Sequence, residues 1–220
     1  MCSDHKIKVV LADDHPVLRE GIVRYIEKHS DFIEFIGETS DWKGLMKLLR
    51  SKIHCDVALL DIMMPGGDGL DAVKNILSEF PDIKVLMISA HSEKDYAMRF
   101  INAGASGFIS KVGSIKEIIP AIRDVAEGKI VLSESLKKEM ALKKTRKRES
   151  SSSLEGLTDR EFQVLVQLGS GKSPSEVAKF LHLSPKTVST HRNNIMKKMN
   201  WKHNGELIFY AIQKGLVSEL

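Results

Sequence analysis

Two regimes of polar and apolar spacing divide the chain. Up to about residue 128, short apolar runs alternate with stretches of helical period. The runs are Ile7 to Ala12, Phe32 to Gly37, Val57 to Leu60 closing on Asp61, Ile83 to Ile88, and Gly107 to Ile109. Runs this short and this apolar suit strands buried on both faces. Between them, Val17, Leu18, Ile22, Val23, Tyr25 and Ile26 mark one helix face, and Trp42, Leu45, Met46, Leu48 and Leu49 mark another. Leu70 to Phe80 and Glu93 to Ala103 read as helices, and Ile115, Ile118, Ile119, Ile122 and Val125 stripe a fifth. Local signals agree: Pro16 suits a first turn, Asp41 a cap, Pro81 a stop, and Ser114 with Glu117 a capping box. Five strands alternating with five helices predict an α/β domain with a parallel sheet and helices on both faces.

Beyond residue 128 the alternation of strand-like runs with helices gives way to helical spacing. A helix is expected from Leu132-Ser133-Glu134, carrying Leu136, Met140 and Leu142. The basic run Lys143 to Arg148, Glu149 and four serines then read as a solvated linker, with weak steering toward DNA as the alternative role of the basic run. Four helices follow. Thr158 with Glu161 opens the first, which carries Phe162, Val164, Leu165, Val166 and Leu168. Pro174 starts the second, with Val177, Ala178, Phe180 and Leu181 apolar. After the turn His182-Leu183-Ser184, Ser184 caps a third helix in which Val188, Ile195 and Met199 face inward. Asn204 to Lys214 is the fourth. Two short helices joined by a tight turn, the second polar and basic outside, predict a helix-turn-helix. The expected domains are residues 1–128, a 129–153 connection, and an all-α domain over 154–220.

Charge sharpens the division. Residues 1–128 hold 16 Lys+Arg against 20 Asp+Glu, whereas residues 129–220 hold 17 against 9, so the chain's +4 sits in its second part. A basic second domain points to a polyanionic partner. Apolar content of 42% and charged content of 28% are ordinary for a soluble protein. No run approaches the ~20 apolar residues of a membrane span, and the start shows no secretory h-region. Cys2 and Cys55 make neither a disulfide framework nor a metal spacing, so a cytoplasmic setting is expected.

The chemistry concentrates where strands end. Asp13 and Asp14, Asp61, Ser89 and Lys111 each fall just past the carboxyl end of an expected strand. In an open parallel sheet those ends share one rim, where ligands bind. Three carboxylates at one rim repel unless a cation shares them, and all-oxygen ligands suit magnesium or manganese. Two glycine clusters are set aside. Gly66-Gly67-Asp68-Gly69 lacks the strand–glycine–helix order of a phosphate cradle and reads as a turn. Gly169-Ser170-Gly171-Lys172-Ser173 has Val166 where a nucleotide loop needs glycine, and no strand precedes it.

Asp13-Asp14, Asp61-Ile62-Met63-Met64-Pro65-Gly66, Ser89 and Lys111, each after its strand, resemble the response-regulator receiver domain over residues 7–127. That resemblance implies a flavodoxin-like, doubly wound five-stranded fold. It implies that Asp61 is the phosphoacceptor for a sensor histidine kinase. Asp13, Asp14, Asp61 and the Met63 carbonyl would hold the metal, and Lys111 and Ser89 would meet the phosphoryl group. Phe108 takes the place of the switch aromatic. Val112 departs from the proline that often follows the lysine, and Met63 and His91 occupy positions that can tune acyl-phosphate lifetime.

The run from Leu157-Thr158-Asp159-Arg160-Glu161 to Thr187-Val188-Ser189-Thr190-His191 and on to Met199 resembles the LuxR/FixJ-type DNA-binding domain over residues 154–217. It implies base contacts from Ser189, Thr190 and Asn193, and phosphate contacts from Lys186, Thr187, His191, Lys197 and Lys198. The whole chain is similar to NarL/FixJ-type response regulators. That implies a homodimer on double-stranded promoter DNA, regulation of transcription, RNA polymerase as a further partner, and no turnover enzyme. An aspartyl phosphatase is the main alternative, but such enzymes usually carry a second Asp where this chain has Met63. A phosphorelay or scaffolding protein without DNA binding is the other.

Overall fold

The computed structural model describes residues 6–51, 54–64, 68–89, 93–111, 115–133, 136–137 and 154–217. Gly66, Gly67, His91, Val112, Ser114 and the basic and serine run of 143–153 lie outside them, with the expectations attached to them. The chain forms two compact units: residues 1–93 with 100–133, and residues 94–99 with 134–220.

In the first unit, β1 (Ile7–Ala12), β2 (Ile33–Thr39), β3 (Val57–Asp61), β4 (Lys84–Ser89) and β5 (Gly107–Ser110) make one sheet in the order β2-β1-β3-β4-β5. Every pairing is parallel. The helices that follow the strands in sequence are α1 (Pro16–His29), α2 (Trp42–Leu49), α3 (Gly69–Glu79), α4 (Glu93–Asn102, of which 94–99 belong to the second unit) and α5 (Ile118–Ala126). β3 is central and all five of its residues are buried. This explains its unbroken apolar run, since neither of its faces meets water.

On one face, Val9, Leu11, Val57, Leu59, Leu86 and Ile88 pack with Ile22 and Ile26 of α1 and Ile118 and Ile122 of α5. Their strand neighbours Val10, Ala12, Ala58, Leu60, Val85 and Met87 are fully buried on the other. Asp41 caps α2, its carboxylate accepting from Gly44 N–H at 2.7 Å. Two expectations change. Val17 is 83% exposed, because it sits in the first turn of α1, short of the sheet that Ile22 and Ile26 cover. α5 is entered through a 3-10 turn over Ile115–Glu117, and Glu117 at its N-cap position makes no side-chain capping bond. Val131 pairs in parallel with Gly107 at the sheet's edge, through bonds of 2.9 and 3.0 Å.

In the second unit, α6 (Asp159–Gly169), α7 (Pro174–Phe180), α8 (Pro185–Met199) and α9 (Asn204–Gln213) follow one another. Thr158 and Glu161 form the expected capping box, and Ser173 with Glu176 forms a second one on α7. Gly169 lets α6 meet α9, since a Cβ there would lie 2.5 Å from Ala211 Cβ. The turn before α8 uses His182 at φ +54°, in the left-handed region. Val188, Ile195 and Met199 are buried as the pattern predicts.

Candidate phosphoacceptor pocket and recognition helix

β1, β3, β4 and β5 are parallel neighbours, so their carboxyl ends fall on one edge of the sheet. Asp13, one residue past β1, is fully buried, and Asp61 at the end of β3 is 3% exposed. Lys111, one residue past β5, joins them: its Nζ lies 2.8 Å from Asp13 Oδ2 and 2.9 Å from Asp61 Oδ2. The Lys111 backbone N–H donates to the Ser89 carbonyl at 2.7 Å, which ties the ends of β4 and β5 together. Ser89 itself is fully buried.

A single ammonium shared by two buried carboxylates leaves the pocket short of positive charge. Burial pushes the Asp61 carboxyl pKa up, as does neighbouring Asp13. Lys111 and a backbone bond from Met63 pull it back, and the balance stays raised. Asp14 lies beside this pair and is partly exposed.

Two residues that the pattern did not single out complete the pocket. The Arg19 guanidinium donates to the Asp13 carbonyl at 2.7 Å and pairs with Glu38 at 3.3 Å, which braces the turn after β1. His15 Nδ1 lies 2.8 Å from Asp14 Oδ1, 3.1 Å from Asp13 Oδ1 and 3.9 Å from Asp61 Oδ2. Asp13, Asp14, His15 and Asp61 each offer one ligand atom, all within 4.8 Å of one another. The three carboxylates of this set suit a divalent cation, and the buried negative charge favours one. Phe108 points inward, fully buried, with its ring 6.5 Å from that of Phe100.

On α8, Lys186, Ser189, Thr190, Asn193 and Lys197 are exposed, and Thr187 and His191 are half-buried. Ser184 caps the helix by accepting from Thr187 N–H at 3.0 Å, and its hydroxyl meets that of Thr187 at 2.8 Å. The Ser189 and Thr190 hydroxyls donate back to the Pro185 and Lys186 carbonyls, each at 3.0 Å. Arg192, also missed, donates to Asn204 Oδ1 at 2.6 Å and so ties α8 to α9.

Lys198 is engaged within the bundle. Its ammonium donates to Glu161 Oε2 at 2.7 Å and to the Gly156 carbonyl at 3.0 Å, within its own unit. Glu161 is 3% exposed and needs that partner. The lysine therefore braces the bundle through Glu161.

The description "Response regulator receiver domain" matches residues 9–123, and "Bacterial regulatory proteins, luxR family" matches residues 155–211. The response regulator UvrY of Escherichia coli is 34% identical over 210 residues, covering 96% of this chain and 95% of that protein.

The chain is a NarL/FixJ-type response regulator.

Response regulator GacA of Pseudomonas aeruginosa is 32% identical over 211 residues, covering 96% of this chain and 98% of that protein. Among solved structures, RcsB from Salmonella enterica serovar Typhimurium, bound to a promoter in the presence of phosphomimetic BeF3−, aligns with a TM-score of 0.79 at 25% identity. That alignment covers 95% of this chain and all of the other. This response regulator thus carries a receiver domain followed by a LuxR-type DNA-binding domain, and its receiver has an acidic pocket of the kind that binds divalent metal. Among the described residues, no helix is long and apolar enough to cross a membrane.

Proposed function

We propose that this response regulator takes a phosphoryl group onto Asp61 from the phosphohistidine of a sensor histidine kinase and then, as a dimer, binds promoter DNA to regulate transcription. The observation that carries the reading is the meeting of Asp13, Asp61 and Lys111 within 2.9 Å at the rim of a parallel sheet. An Asp61 carboxylate oxygen attacks phosphorus, the P–N bond breaks, and the imidazole leaves with its electron pair. Lys111 stays beside the attacked carboxylate, where its charge offsets that of the incoming phosphoryl oxygens. Asp13, Asp14, Asp61 and the Met63 carbonyl would hold Mg2+ or Mn2+; when bound, that ion draws charge from the transferring group. The Ser89 hydroxyl donates to a phosphoryl oxygen of the product, and Phe108 reports that change to the surface.

The receiver acts once per phosphorylation event and is not a turnover enzyme. In the second unit, Ser189, Thr190 and Asn193 lie on the exposed face of a capped helix, which suits the major groove. Lys186, Thr187, His191 and Lys197 flank them for phosphates. What supports DNA as the partner is the +8 charge of residues 129–220 together with RcsB's binding of a promoter. Support for a dimer is the solved structure of two RcsB dimers on two parallel DNAs.

Radiolabelled acetyl phosphate is expected to label the wild-type chain and not Asp61→Asn. Full labelling of that variant would move the acceptor elsewhere. Mobility-shift assays with genomic fragments, with and without phosphoryl donor, test the DNA step. No shift in either state would leave only a relay or scaffold.

A further inference from the structure

We propose that His15 is itself a ligand of the divalent-cation site and turns its preference from Mg2+ toward Mn2+ and the later first-row ions. The inference rests on the metal-site reading above and adds a nitrogen to an otherwise all-oxygen donor set.

The geometry suits coordination. Around an octahedral ion with bonds of about 2.1 Å, adjacent ligand atoms lie about 3.0 Å apart and opposite ones about 4.2 Å. His15 Nδ1 lies 2.8 Å from Asp14 Oδ1 and 3.1 Å from Asp13 Oδ1, which are two octahedral edges. Its 3.9 Å to Asp61 Oδ2 falls between an edge and a diagonal.

The backbone holds the ring there. The His15 N–H donates to Asp13 Oδ1 at 2.9 Å, so main chain and ring of one residue meet the same carboxylate. Pro16 fixes the start of α1 immediately after. His15 occupies the N-cap position of α1, where polar side chains usually bond the helix's free N–H groups. Here the ring makes no capping bond and is turned onto the carboxylates instead. The side chain is 66% exposed, so an ion can reach it without the fold opening. Lys111 spans Asp13 Oδ2 and Asp61 Oδ2, whereas the ring nitrogen faces Asp13 Oδ1 and Asp14 Oδ1. Imidazole nitrogen favours transition ions over Mg2+, which prefers carboxylate and water oxygen.

The test uses the full chain loaded with Mn2+ and examined by pulsed electron paramagnetic resonance. Wild type is expected to show 14N hyperfine coupling from a directly bound nitrogen, and His15→Gln to lose it while still binding Mn2+. Titration calorimetry is expected to show the Mn2+:Mg2+ affinity ratio falling in His15→Gln, mostly by loss of Mn2+ affinity. Bound Mn2+ without nitrogen coupling, coupling that survives in His15→Gln, or an unchanged ratio overturns the role of His15 and leaves the carboxylate site standing. Absence of any Mn2+ or Mg2+ binding that depends on Asp61 overturns the metal site and this inference with it.

Discussion

Replacing Lys198 by Met tests whether its ion pair with Glu161 braces the bundle. The substitution keeps the apolar stem and removes the ammonium. Glu161 then loses one of three donors: Lys198 Nζ at 2.7 Å, Thr158 N–H at 2.8 Å and Thr158 O–H at 3.1 Å. A hydrogen bond between charged partners contributes about 1.5–3 kcal/mol. The Lys198 side chain is 38% exposed, so water screens part of this and about 1–2 kcal/mol remains. With a urea slope of about 1 kcal/mol/M, the unfolding midpoint falls by about 1–2 M.

Trp201 reports this transition by fluorescence when Trp42, the chain's other tryptophan, is replaced by Phe. The loss also depends on pH. Burial pushes the Glu161 carboxyl up, but the bonds from Lys198 and Thr158 outweigh it and hold the group below the ordinary glutamate value. A carboxyl held low stabilises the fold above its unfolded pKa of about 4.3, and that contribution disappears as pH falls through the depressed value. The gap between wild type and Lys198→Met is therefore full at neutral pH and closes in acid. Adding Glu161→Gln to Lys198→Met recovers part of the loss, because the neutral amide no longer needs the cation. An unchanged urea midpoint, together with a DNA-binding salt slope lower by about one unit, would refute the brace and make Lys198 a phosphate contact.

Three further outcomes follow from the same geometry. Removing the Lys197 ammonium is expected to weaken binding to all DNA sequences alike and to flatten the salt slope by about one unit; an unchanged slope takes Lys197 off the phosphates. In chelator, Lys111→Met leaves buried Asp13 and Asp61 without their shared cation and costs about 3–5 kcal/mol, which Mg2+ partly restores; a midpoint within experimental error of wild type would remove Lys111 from the electrostatics of the pocket. Because the Asp61 carboxyl is raised, its ionised form costs stability once pH passes the ordinary carboxylate range. Metal-free Asp61→Asn is accordingly more stable than wild type at neutral pH, with the difference shrinking toward about pH 4; a less stable variant at pH 7 contradicts this.

Local rules carried most of the fold. Apolar run length, Pro16, and the Asp41 and Thr158 caps are decided within a few residues, and each is present. The strand-end acids were legible because a parallel sheet brings its carboxyl edges together whatever the loops do. Ser173-Pro174-Ser175-Glu176 carries an equally local capping signal, next to the more conspicuous glycines before it. Other features depend on longer paths. Helical period places Val17 on the inward face but does not say where the sheet ends. Lys198 reads as one more basic residue near a helix end, and its partner Glu161 lies 37 positions earlier. His15 follows two acids in sequence, yet only the turn into α1 sets the direction of its ring.

The back-bonded hydroxyls of Ser189 and Thr190 narrow what α8 can read. With their protons already given to helix carbonyls, they would meet a nucleobase, on the proposed reading, as acceptors. Donors on the major-groove edge are the amino groups of adenine and cytosine. On the proposed DNA reading, a guanine O6 or thymine O4 would be met only after a carbonyl is released, at about 1 kcal/mol apiece, so the bases under this turn of the helix would be favoured where they present amino groups.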